Sequence, residues 1–380
     1  MSAVFGLSLP RWIRFGRGVA ADAASAVAAL GDRPLLVHGA DRARADWLIQ
    51  SLAAAGRPAR TIACPREPDT VLIGAGVALG RAHAVDVVVG LGGGSVMDMA
   101  KALAGLIPVT GDVLDYLEVV GGGEALEARP LPFVALPTTA GTGAEATANA
   151  VIDVPAAQRK VSLRDPRLLA DMALVDPALT DSAPRAVTLA SGLDAITQVI
   201  EPYISGEANR FTDALCRAAI PLGLDALMRL MRVEDAAARD DMAWVSLSGG
   251  LALANARLGA VHGLAGPLGG ACSLPHGVLA GALLPAVLRA NRERVEGQPA
   301  ARIDEIERWL AAALDCRAQD AIERFAGWAR AEGLPGLAAA GIDRAALVAI
   351  AEAAGASSSM RGNPVVLPAA RLVEAMEQAW

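Results

Sequence analysis

Aromatic side chains make up only 3% of this 380-residue chain. Its cores must therefore be filled by small and branched residues, and 53% of the chain is hydrophobic with Ala and Gly abundant. That balance excludes a disordered chain and suits close packing of helices and sheets. There is no C-x-x-C pair. The four cysteines, Cys64, Cys216, Cys272 and Cys316, are far apart, which argues against a disulfide framework and fits reduced thiols in a cytoplasmic protein. No basic run or face occurs and the net charge is −7, so no nucleic-acid partner is expected. The stretch MSAVFGLSLPRWIRFGRG lacks a continuous apolar core and a cleavage site, so no signal peptide is read. The apolar stretch 247–268 is interrupted by Asn255, Arg257 and His262. It falls short of the ~20 clean residues of a membrane span, and a buried helix is expected there instead.

What is present divides at about residue 180. Before it, short apolar runs alternate with helical stretches: PLLVHG (34–39), ARTIAC (59–64), AVDVVVGLGGGS (84–95) and PFVALPTT (132–139) read as strands, and RARADWLIQSLAAAG (42–56) as a helix closed by Gly56. Such alternation predicts a parallel sheet covered on both faces. After it the β signal disappears. Ser182 reads as an N-cap with Pro184 in the first turn. Ala/Leu-rich helices then follow, with breaks expected at Ser205-Gly206, Gly269-Gly270, Pro275 and SSSMRGNP (357–364). The expectation is an α/β domain over 1–180 and an all-α domain over 181–380, with a ligand cleft between them.

Two groups of residues carry chemistry. In VVVGLGGGSVMDMAK (87–101) a strand runs through Gly92, Gly93 and Gly94 into a helix with Ser95 near its start. Bare backbone at a helix N-terminus suits a phosphate, although a tight turn without ligand has the same pattern. The Thr- and Gly-rich segment LPTTAGTGAEATANAVI (136–152) supplies a second strand-end loop suited to a dinucleotide. In the helical half, Asp194 and Gln198 of SGLDAITQVIEPYIS (191–205) are four apart, hence on one face of a buried-looking helix. His262 and His276 are two of only four histidines. Each could be a satisfied core histidine. Together with Asp194 they also form a ligand set for Zn²⁺ or Fe²⁺ that leaves a position open.

In the same order along the chain, GGGSVMDMAK, PTTAGTGAEATANAVI, KVSLRDPRLLADMALVDPALT, SGLDAITQVIEPYIS and HGLAGPLGGACSLPHG resemble segments of the iron-containing (group III) alcohol dehydrogenases of the dehydroquinate synthase-like superfamily. The resemblance extends from FGRG (15–18) to MRGNP (360–364). It implies an NAD- or NADP-binding α/β domain, a helical domain, and a metal and alcohol site in the cleft. By position, it assigns Asp194, His262 and His276 as metal ligands and catalytic residues. It places Gly93, Gly94, Ser95, Thr138, Thr139, Thr142, Asn149, Lys160 and Leu179 along the dinucleotide, with Asp98 ordering the glycine loop. Gly39 stands where relatives that prefer NAD often carry an acid. Its presence beside Arg42 and Arg44 permits NADP, while Asp41 could still serve NAD.

Two positions depart from the family pattern. Gln198 stands where a fourth ligand, a histidine, is usual. Gly266 stands where many members have a further histidine. The expected centre is thus closer to Asp/His/His, with Gln198 a weak fourth ligand or a hydrogen-bonding partner of the substrate. The implied function is hydride transfer between a nicotinamide and a small alcohol, aldehyde or ketone, in a homo-oligomer such as a dimer. The alternatives are a maleylacetate-type reductase working without metal, with Arg361 as a substrate cation, and a dehydroquinate synthase-like lyase. A third is a silent binder with a degenerate site.

Overall fold

The computed structural model describes residues 4–157 and 159–380; residues 1–3 of the stretch read for a signal lie outside it. The chain forms two compact units. One comprises Ser8–Thr139 and Gly143–Thr180, the other Asp181–Trp380 with Ala140–Thr142 and residues 4–7.

The first unit is built on strands β1 (Trp12–Phe15), β2 (Pro34–His38), β3 (Arg60–Ala63), β4 (Val87–Gly92), β5 (Phe133–Pro137), β6 (Asn149–Val154), β7 (Arg159–Arg164) and β8 (Met172–Val175). Helices α1 (Ala23–Ala28), α2 (Asp46–Ala54), α3 (Thr70–Ala82) and α4 (Gly94–Leu106) lie between them. Six strands pair in the order β1-β8-β5-β4-β2-β3, every pair parallel. β2, β4 and β5 are buried at every residue, because helices cover both faces. Successive side chains point to opposite faces. Leu35, Val37 and Val88 join a core with Val77, Met99 and Leu103, while Leu36, Val87 and Val89 join a second core with Val27, Leu48 and Leu52. From β2 the chain steps outward to β3, then returns to β4 on the other flank of β2. That reversal makes the carboxyl ends of β2 and β4 the natural ligand crevice of an open parallel sheet. The antiparallel hairpin β6–β7 stands outside the parallel reading. It comes from two runs, NAVIDV and RKVSLR, whose alternating polarity marks half-buried strands.

The second unit is helical: α5 (Arg185–Ile204), α6 (Arg210–Leu230), α7 (Ala236–Ala256), α8 (Ala260–Ala271), α9 (His276–Arg292), α10 (Gly297–Leu314), α11 (Ala321–Ala331), α12 (Leu347–Gly355) and α13 (Ala369–Gln378). α5 is buried at every residue from Gly192 to Ile204, as a helix enclosed on all sides must be. α9 presses against it through Gly277 and Gly281. A Cβ on the first would lie 2.4 Å from the Ala190 carbonyl oxygen, and one on the second 2.7 Å from Leu193.

Three local readings are corrected. Ser182 does not cap α5. It has φ 58°, and Pro184, with its fixed φ, occupies the cap position before Arg185. α8 is not broken at Gly269-Gly270 but continues to Ala271 through Pro267, carried by the buried Leu264 and Leu268. The apolar stretch 247–268 is two helices, parted at Arg257 (φ 59°). Among the described residues no helix is long and apolar enough to cross a membrane.

Candidate metal centre and dinucleotide loops

Three helices of the second unit each deliver one candidate ligand. Asp194 lies in the middle of α5 and is 2% exposed. His262 lies in the first turn of α8 and is buried. His276 is the first residue of α9, with its side chain 38% exposed. Gly277 is what lets α9 start hard against α5, and so brings His276 to Asp194. His262 Nε2 is 3.4 Å and His276 Nε2 3.8 Å from Asp194 Oδ1. One ligand atom from each of the three residues lies within 4.8 Å of the others. Metal bonds of 2.0–2.2 Å in a tetrahedral shell put neighbouring ligands about 3.4 Å apart, so the spacing suits one cation. Asp194 Oδ1 and His262 Nε2 are both buried, and apart from facing each other at 3.4 Å neither has a hydrogen-bond partner. Such orphaned atoms are costly unless something pairs them, and the carboxylate and two imidazoles are a donor set for Fe²⁺ or Zn²⁺. The residues fit a divalent metal.

A fourth residue, Glu201, was not singled out in the sequence. It is buried seven residues after Asp194 in α5, two turns on and on the same face, which is the only signal that could have found it. Its Oε2 accepts from His262 Nδ1 at 2.6 Å. Its carboxylate also accepts the backbone N–H groups of Val261 at 2.7 Å and His262 at 3.4 Å. Gly259, the cap of α8, has no side chain to do this; Glu201 does it from a neighbouring helix. With Nδ1–H donated to Glu201, His262 Nε2 is the atom turned toward Asp194.

The electrostatics follow from this burial. For His262, burial opposes the charged form, but Asp194 and Glu201 outweigh it and push its pKa up to about 10. For Asp194, burial alone would raise the pKa; the charge of His276 and contact with His262 instead hold it below the ordinary carboxylate value. Without metal the centre is therefore an ion pair, and a metal must displace a proton to bind.

Gln198 is one turn beyond Asp194 and buried. Its Nε2 donates to the Thr142 carbonyl at 2.5 Å. A Cβ at Gly266, one turn beyond His262, would meet nothing within 4 Å, so that face of α8 is open. Arg361 is exposed.

The dinucleotide candidates fall into groups. Gly39 follows β2, Gly93 to Ser95 follow β4, and Thr138 and Thr139 follow β5. All lie at the carboxyl ends of three adjacent parallel strands. The Thr138 N–H donates to the Gly92 carbonyl at 2.9 Å, and Gly93 passes so close to Thr139 that a Cβ would lie 3.2 Å from its hydroxyl. Gly94 opens α4, so its first-turn N–H groups face the same end. Asp98 pairs with the fully buried Lys101 at 3.3 Å and with the Val151 amide. Burial pushes its pKa up to about 6 despite that lysine. From the first turns of α4 it ties that helix to β6. Asn149 opens β6, and Lys160 in β7 is ion-paired with Glu67. Leu179 packs against the second core. The Asp41 carboxylate accepts from Ala43 N at 3.0 Å as a helix cap. Thr142 belongs to the helical unit.

Residues 10–177 match the family described as iron-containing alcohol dehydrogenase, and residues 188–380 match the C-terminal Fe-containing alcohol dehydrogenase family. The chain is 42% identical over 218 residues to long-chain-alcohol dehydrogenase 1 of Geobacillus thermodenitrificans, covering 57% of this chain and 54% of that one. It is 38% identical over 217 residues to 1,3-propanediol dehydrogenase of Klebsiella pneumoniae, covering 57% and 55%. The match thus spans about half the length of these relatives. A crystal structure of 1,3-propanediol oxidoreductase superposes with TM-score 0.88 at 29% identity over the whole of both chains. An alcohol dehydrogenase from Oenococcus oeni gives 0.87 at 27%, covering 99% of this chain and all of that one.

Proposed function

Starting from the iron-containing alcohol dehydrogenase family, to which the chain belongs, we propose that it is an NAD(P)-dependent alcohol dehydrogenase acting in either direction on a small alcohol, aldehyde or ketone. The observation that carries this is the convergence of Asp194, His262 and His276, two of whose buried ligand atoms have no hydrogen-bond partner other than each other. A divalent iron or zinc ion held by those three residues would supply Lewis acidity to the alcohol or carbonyl oxygen. A nicotinamide held at the strand ends would supply the hydride acceptor in oxidation and the hydride donor in reduction. The chain itself holds the parts in place. Glu201 fixes the His262 tautomer. Asp194 supplies negative charge that burial does not neutralise. The half-exposed His276 leaves one side of the group open to substrate. The α4 N-terminus offers N–H groups to the pyrophosphate, and Thr138 and Thr139 offer hydroxyls to a ribose. Gly266 itself supplies no titrating side chain, and a Cβ there would meet nothing within 4 Å.

The test is turnover of an alcohol panel followed by reduced-nicotinamide absorbance, with metal content measured in the same samples. Chelated protein should lose turnover and regain it with added Fe²⁺ or Zn²⁺. Full turnover in a preparation shown to be metal-free would overturn the reading and favour the reductase alternative. Comparing kcat/KM for NAD and NADP decides the cofactor. A cytoplasmic homodimer completes the proposal. β1 is the sheet's edge strand and exposes Trp12 and Phe15, a surface that a second chain would cover. A scattering mass of 38.8 kDa, that of one chain, would remove it.

A further inference from the structure

We propose that Gln198 is a positioning residue for the segment Ala140–Thr142 and, through it, for the bound dinucleotide; the second half of this rests on the dehydrogenase reading above. The hydrogen bond from Gln198 Nε2 to the Thr142 carbonyl has only one workable sense. A carbonyl has no proton, so the amide must present its NH₂ there. The stem of Gln198 is pinned from behind by α7: a Cβ on Gly249 would lie 3.3 Å from both Cβ and Nε2 of Gln198. The side chain is 3% exposed, so water cannot take over the bond. A second anchor lies seven residues earlier on α5. Gly141 sits against Ser191 so closely that a Cβ would be 2.9 Å from the Ser191 Cβ and 3.2 Å from its carbonyl oxygen. Residues 191 and 198 are two turns apart on one face, with Asp194 between them. The segment is therefore laid along the helix that carries the metal-ligating carboxylate, and it continues directly from Thr138 and Thr139. Holding Thr142 restrains the chain that leads out of those two threonines.

The test is Gln198→Met, which keeps length and removes the donor, with Gly141→Ala as a second variant that disturbs the other anchor. Amide hydrogen exchange over residues 138–145, without cofactor, should quicken about tenfold in either variant, the loss expected for one buried hydrogen bond. KM for the dinucleotide should rise by a similar factor while KM for the alcohol moves less than twofold. Metal affinity, read by chelator competition, should hold. Unchanged exchange with weakened metal in Gln198→Met would overturn the proposal and make Gln198 a ligand. The exchange arm needs no cofactor, so the two readings fail separately. An unaltered chain that binds no nicotinamide would sink the dehydrogenase reading. Unchanged exchange in both variants would sink this one.

Discussion

At the scale of single residues, the centre depends on which buried groups are paired. Glu201 satisfies three donors of α8 at once. Glu201→Gln keeps the shape but turns an NH₂ toward N–H donors, leaving at least one unpaired. Metal affinity, measured against a chelator, should fall about tenfold or more, and stability by about 1–3 kcal/mol. Unchanged affinity would mean the His262 tautomer is set elsewhere. A second buried acid, Glu145, gives a pH prediction. Burial pushes its pKa from 4.5 up to about 7, against the pull of Lys101. Between those values the folded chain keeps a proton that the unfolded chain has released, so stability falls as pH rises through that window. Glu145→Gln never ionises. In urea unfolding it should gain about 3 kcal/mol relative to the unaltered chain on going from about pH 4 to about pH 8; equal pH dependence of the two would refute the assignment. Asp194, His262 and His276 were legible because charged or titrating side chains interrupt apolar helical runs. Glu201 carried only its spacing from Asp194. The partner of Gln198 was not legible, since Thr142 is 56 residues away.

At the scale of elements, glycine decides how helices meet. Gly277 and Gly327 are both helical residues, yet they should respond oppositely to alanine. At Gly277 the new Cβ would meet the Ala190 carbonyl at 2.4 Å, and backbone cannot swing aside. Gly277→Ala should cost about 1–3 kcal/mol and weaken metal binding, because α9 must back away from α5 and carry His276 with it. At Gly327 a Cβ meets nothing within 4 Å, so Gly327→Ala should stabilise by about 0.4–1 kcal/mol through the unfolded chain. Chemical denaturation of the two variants side by side checks both signs. The same logic explains which elements the sequence revealed. Strands buried on both faces, such as VVVGLG and FVALP, announce themselves as apolar runs between helices. The hairpin β6–β7 does not, because half its residues are polar and none of those is fully buried. The continuity of α8 through Pro267 and Gly269-Gly270 was hidden for a different reason. Local propensity favours a break, and only the burial of Leu264 and Leu268 overrides it.

At the scale of the whole molecule, the proposed function assigns the metal to one unit and the dinucleotide to the other, so the two ligands should act on different units. The β pattern is lost near residue 180, and the compact units change between Thr180 and Asp181. The exception, Ala140–Thr142, which groups with the helical unit, is set by contacts with Ser191 and Gln198 that no local pattern reports. All three candidate metal ligands come from α5, α8 and α9 of the helical unit, and none from the sheet. A ligand that binds only the folded state stabilises it by RT ln(1 + [L]/Kd), about 2.7 kcal/mol at a hundredfold excess over Kd. Zn²⁺ or Fe²⁺ should therefore raise the calorimetric transition of the helical unit in a concentration-dependent way, and chelator should reverse the shift. NAD or NADP alone should act on the transition of the α/β unit, whose strand ends and α4 N-terminus supply the phosphate-facing groups. The His262 proton must leave for the metal to enter, so the metal-induced shift should grow as pH rises from 6 to 8. A melting profile indifferent to metal over that range would remove the cation from the centre. It would leave Asp194 and His262 as a buried ion pair without a ligand.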